Sequence, residues 1–74
     1  MTRLPALSGR EVVKALARIG YELDHQTGSH MILRQSSPPF RRVTVPDHKE
    51  LAKGTLRAII RDTGLTVDQF NALL

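Results

Sequence analysis

Seventy-four residues with a formal charge of +4 and a pI of about 10.4 leave room for one domain with a modest core. Without cysteine there is no disulfide framework and no thiolate metal site, so a reducing cytoplasm is the simplest compartment. No apolar run approaches membrane-spanning length, Met1-Thr2-Arg3-Leu4-Pro5 lacks the apolar stretch of a signal peptide, and the excess of cations favours a polyanionic partner, most simply nucleic acid.

Residues 1–7 read as a short extended lead-in. Ser8-Gly9-Arg10-Glu11 then fits a capping box, in which Ser8 accepts from an orphan amide and Glu11 bonds back. Val12, Leu16 and Ile19 recur at i, i+4, i+7, with Val13 and Ala15 beside them, which predicts a helix with one apolar stripe. Gly20 ends it.

Tyr21-Glu22-Leu23-Asp24-His25 alternates apolar and polar residues, as a half-buried strand does. Thr27-Gly28 reads as a turn, and His30 to Arg34 as the returning strand, with Met31-Ile32-Leu33 buried. Two registers stay open for this hairpin. A two-residue loop pairs Leu23 with Ile32 and puts His30 on their face. A three-residue loop with Gly28 left-handed pairs Leu23 with Met31 and Tyr21 with Leu33, leaving His30 opposite Asp24 on the open face. The second places more apolar area on one side and gives Gly28 a reason to be glycine.

Gln35-Ser36-Ser37-Pro38-Pro39 is a loop, since two prolines do not fit inside a ladder. Phe40 to Val45 reads as a third strand with Val43 and Val45 inward, Arg42 and Thr44 outward, and Pro46 as its end. Residues 47–52 connect to a second helix that starts near Lys53-Gly54-Thr55, turns Leu56, Ile59 and Ile60 inward and stops at Gly64. Thr66-Val67-Asp68-Gln69 resembles another capping box, opening a short last helix with Val67, Phe70, Leu73 and Leu74 as its apolar side. Three strands on short links form an antiparallel meander, and the helices must cover its one apolar face. The expectation is an α+β, two-layer α-β-β-β-α domain over residues 1–74 with a short C-terminal helix.

Arg10, Lys14 and Arg18 line one helix face at i, i+4, i+8, and Lys53, Arg57 and Arg61 repeat the spacing on the second helix. One such stripe is ordinarily a solvated face. Two stripes, with Arg34, Arg41 and Arg42 on the strands, point further towards nucleic acid. At Lys53-Gly54-Thr55 the free amides and dipole of a helix start favour a phosphate, although Gly54 also reads as a plain loop-to-helix joint.

Cleavage of RNA without a metal needs a base for the 2′-hydroxyl proton, an acid for the leaving oxygen and positive charge for the phosphorane. Imidazole titrates near neutrality and suits the proton work; arginine and lysine suit the charge. His30 is the best candidate, because small neighbours at Gly28 and Ser29 leave room for a substrate backbone. Taken alone, a histidine at a strand start is more often structural. His48, in Pro46-Asp47-His48, reads as a turn cap or a partner of Asp47, and His25 as a surface residue near the hairpin tip. No two histidines have a local metal-ligand spacing, so no zinc site is expected.

Leu7-Ser8-Gly9-Arg10-Glu11-Val12-Val13-Lys14-Ala15-Leu16, Gly28-Ser29-His30, Arg42-Val43-Thr44-Val45-Pro46, His48 and Gly54-Thr55-Leu56-Arg57-Ala58-Ile59-Ile60-Arg61 together resemble the HicA-type toxins of bacterial toxin–antitoxin pairs, the mRNA interferases. The resemblance spans nearly the whole chain. It implies a fold like a double-stranded-RNA-binding domain. It also implies ribosome-independent cleavage of messenger RNA with no cofactor, stopped by a HicB-type antitoxin in a heteromeric complex. The family's catalytic histidine maps onto His30. Phosphate binding is assigned here to Arg34, Lys53, Gly54, Thr55 and Arg57, and Asp24 orients the imidazole if the second register holds. The sequence departs from the family in a longer, proline-rich loop at Ser36-Ser37-Pro38-Pro39-Phe40 and in Met31, where a polar or aromatic residue is frequent.

Two rivals bear on the same residues. A non-catalytic double-stranded-RNA-binding module would have this shape and no need of the histidine. A helix-turn-helix from residues 53–74 would need a basic or amide-rich final helix, yet residues 66–74 carry no lysine or arginine.

Overall fold

A computed structural model describes residues 3–74, so Met1 and Thr2 of the expected lead-in lie outside the described residues. The capping box at Ser8 is made. Its hydroxyl accepts the Glu11 amide at 3.0 Å, and the Glu11 carboxylate accepts the Ser8 amide at 2.9 Å. Helix α1 (Gly9–Ala17) grows from this cap and buries Val12, Ala15 and Leu16. Ile19 falls beyond its last turn and is 38 % exposed, so the inward stripe is shorter than the spacing predicts.

Strands β1 (Tyr21–Thr27), β2 (His30–Gln35) and β3 (Arg42–Pro46) form an antiparallel sheet in that order. Helix α2 (Lys53–Thr63) and the short α3 (Val67–Asn71) complete the α+β, α-β-β-β-α layout with its C-terminal helix. The second capping box closes α3: Thr66 Oγ1 accepts the Gln69 amide at 3.1 Å and Gln69 Oε1 accepts the Thr66 amide at 2.9 Å.

One sheet face is covered. Met31, Leu33, Val43 and Val45 alternate onto it and pack against Leu16 of α1, Leu56, Ile59 and Ile60 of α2, and Phe70 of α3. Burying each such side chain stabilises the fold by about 1.5–3 kcal/mol. The lead-in is more than an approach to α1. Leu4 and Leu7 enter the core, the Leu51 amide donates to the Leu7 carbonyl, and Lys53 Nζ donates to the Leu4 carbonyl at 2.9 Å. Residues 3–7 therefore act as a strap over the start of α2.

The hairpin follows neither predicted register. β1 continues to Thr27, the loop is Gly28-Ser29, and Thr27 pairs with His30. Gly28 takes φ +56° at the first central position, where a two-residue loop with the strands' own twist calls for glycine. A β-bulge then intervenes between Leu23 and His25, so Leu23 pairs with Leu33 and Tyr21 with Gln35. The extra residue is Asp24. It lies far along the strand from His30, and the proposed Asp24–His30 juxtaposition is corrected. β3 also starts later than predicted, because Phe40 takes φ +56° and belongs to the loop.

Candidate functional site

Among the described residues, no helix covers the second sheet face. Alternation places His30, Ile32 and Arg34 of β2 on it, opposite the buried Met31 and Leu33. Their partners on β3 are Pro46, Thr44 and Arg42, and on β1 His25 pairs with Ile32 and Glu22 with Arg34. His30, Arg34, Arg42 and Thr44 are all exposed. β2 is the central strand, so His30 is flanked by Thr27 on one side and Pro46 on the other. Its backbone is fixed while its ring meets solvent.

Arg34 and Arg42 stand directly across the ladder from each other. Like charges at such a position cost stability unless an anion lies between or above them. Asp24 supplies part of that charge. Its carboxyl is held below the usual carboxylate range, first by the hydrogen bond with His25 and then by the fields of Arg42 and Arg34. The bulge is what lets these neighbours meet. It interrupts the alternation that would separate consecutive side chains, and Asp24 Oδ2 comes 2.7 Å from His25 Nδ1.

A corner of the fold supports His30. The Asp47 amide donates to the Ser29 carbonyl at 2.6 Å and fastens the connector to the hairpin turn. The Asp47 carboxylate takes both a 3.1 Å and a 3.2 Å hydrogen bond from Arg10, and a long one from Gln26, whose amide also reaches the Gly28 carbonyl. The paired Arg10 guanidinium, and secondarily Gln26, depress the Asp47 pKa. His48 contributes its carbonyl, which accepts the Gly9 amide at 2.9 Å. Arg10 thus belongs to the turn as well as to the charged stripe on α1. No pattern in the sequence joins residues 37 positions apart, so this cluster escaped the sequence reading.

The predicted site residues fall into two groups. His30 and Arg34 share the open face. Lys53, Gly54, Thr55 and Arg57 sit in the first turns of α2, in the layer on the other side of the sheet. Lys53 is engaged with the Leu4 carbonyl, Arg57 is exposed, and a Cβ on Gly54 would meet open space. The α2 N-terminus has no side-chain cap, because Ala52 occupies that position. Pro46, the partner of His30, leads through residues 47–52 to this helix start. Among the described residues, no group of three or more histidine, aspartate or glutamate side chains is placed to hold a metal ion.

A family model described as HicA toxin of bacterial toxin-antitoxin matches residues 9–65. The chain belongs to the HicA toxin family. The matched segment runs from α1 to just past α2 and includes the hairpin turn, His30 and the whole sheet. A HicA toxin belongs to a toxin–antitoxin pair, so an antitoxin is its partner. No curated protein matches the chain. Among the described residues, no helix is long and apolar enough to cross a membrane.

Proposed function

We propose that this HicA-family toxin is a metal-independent endoribonuclease that cuts messenger RNA in the cytoplasm, with His30 as its proton-transfer residue. The observation that carries the reading is the exposed imidazole at the start of the central strand, on a bare face shared with Arg34 and Arg42. An RNA strand laid over that face brings a phosphate to the two guanidinium groups and a ribose to the ring.

In the proposed step, His30 takes the proton of the 2′-hydroxyl. The 2′-oxygen bonds to phosphorus, the bond from phosphorus to the 5′-oxygen breaks, and a proton returns to that oxygen. The products are a 2′,3′-cyclic phosphate and a 5′-hydroxyl. Arg34 and Arg42, four positions along the same face, hold the phosphate of a neighbouring nucleotide and so keep the scissile bond at the ring. Flanking phosphates run past Pro46 towards the free amides of Gly54 and Thr55 and the cations Lys53 and Arg57. A HicB-type antitoxin neutralises the toxin by covering the open face.

The test pairs induced expression with purified protein. His30→Ala is expected to abolish growth arrest and to slow RNA cleavage by about 10²–10⁴-fold, the range for a positioned acid or base. Products of the unaltered protein should carry cyclic phosphates, and chelator should not stop their formation. Equal cleavage by both proteins would refute the role of His30. Bound but intact RNA would leave a binding module.

A further inference from the structure

Beside the proposed cleavage centre lies a cleft between the β1–β2 ladder and the loop that precedes β3. Phe40 gives it an aromatic wall, Leu23 lines its floor on β1, and Glu22, Asp24, Arg34, Gln35 and Ser36 give it a polar rim. Phe40 is 46 % exposed, so a large aromatic side chain stands in water there. Burying it would recover free energy.

Phe40 is held in this position. Its φ of +56° is one that a bulky residue adopts only when the surroundings impose it. Its amide donates to the Ser37 carbonyl at 2.9 Å. The next amide, of Arg41, donates to Gln35 Oε1 at 2.8 Å, and Gln35 returns a bond to the Arg41 carbonyl at 3.0 Å. The Arg34 guanidinium stands over the ring, 5.6 Å from its centroid. A fixed aromatic ring with a planar cation beside it is a stacking platform. Glu22 faces Arg34 across the ladder without forming an ion pair with it, so its carboxylate is available to a donor.

We propose that this cleft is a subsite for one unpaired base of the RNA, stacked on Phe40, with its edge N–H donating to Glu22. The inference rests on the proposed RNA substrate. Every base has a π-face and an edge N–H, so the subsite tolerates sequence while demanding a single strand. Arg34 lies four residues from His30 on one face, roughly 13 Å along the strand. The stacked base is therefore near the scissile bond but not at it, and Arg34 bridges the two.

The experiment uses the full chain carrying His30→Ala, so that RNA survives, and a short single-stranded RNA with 2-aminopurine at successive positions. Fluorescence quenching at one position is expected. Adding Phe40→Ala should remove the quench and weaken binding by about 5- to 150-fold, the equivalent of 1–3 kcal/mol of stacking. Phe40→Trp should restore both, and binding of a blunt RNA duplex should not change. Unchanged quenching in Phe40→Ala, an equal loss on the duplex, or a loss confined to capture of a protein antitoxin would overturn the subsite. Cleavage by the unaltered protein with no role for Phe40 defeats the subsite alone. RNA that is neither bound nor cut defeats the proposed function as well.

Discussion

Asp47 ties three separate stretches of chain together beside His30. Its amide holds Ser29, and its carboxylate holds Arg10 and Gln26. Because these donors favour the charged form, the Asp47 pKa lies below its ordinary value in the folded protein. The stabilisation is then complete above the ordinary carboxylate range and is lost as pH falls through the depressed value. Asp47→Asn should lower Tm at neutral pH, and its deficit should shrink as pH drops below about 4. A deficit as wide in strong acid as at neutrality would refute this account of the corner. At this scale the sequence was partly legible. His30 stood out because Gly28 and Ser29 are small. The partner proposed for it, Asp24, was misplaced because the pairing depended on a bulge that nothing in Tyr21 to His25 announces.

Elements were more legible than their junctions. Both capping boxes and the Gly64 stop were readable, because each is a local arrangement of side chain and backbone within a few residues. The inner residues of β3 were readable from simple alternation, whereas in β2 the run Met31-Ile32-Leu33 read as wholly buried and only Met31 and Leu33 are, Ile32 lying half-buried on the open face. The start of β3 was not readable, since Phe40 is a good strand residue by type, yet it is out of phase with Val43 and Val45 and its positive φ puts it in the loop. Gly9 illustrates a constraint invisible to periodicity. A Cβ there would collide with the Pro46 carbonyl oxygen and press on the Met31 side chain, so α1 can dock against the end of β3 only through glycine. Gly9→Ala should cost about 1–3 kcal/mol, the usual penalty for overfilling a packed contact, and lower the midpoint of urea unfolding with little change in slope. Gly54→Ala, with open space around it, serves as the control and should leave the midpoint nearly unchanged or slightly raised.

Across the whole molecule, positive charge is spread over both layers rather than gathered at one end. The sequence foresaw the cations on each element, but it could not show that Arg34 and Arg42 would become cross-strand neighbours on the uncovered face, because that depends on the β2–β3 register. Each phosphate neutralised releases counterions, and log affinity for single-stranded RNA should fall with log salt by about 0.7 per contact. Arg42→Ala in the His30→Ala protein should therefore flatten that slope by about 0.7, read by fluorescence anisotropy over a salt series. An unchanged slope would remove Arg42 from the RNA path.

The kink at Asp24 has a consequence for crowding among copies of the protein. β1 is an outermost strand, and a straight, regular outermost strand invites a neighbouring chain to add itself to the sheet. The extra residue throws the free amides and carbonyls of β1 out of step. A second molecule would have to reproduce the same irregularity to zip alongside. Sheet extension from one molecule to the next is thus disfavoured along β1.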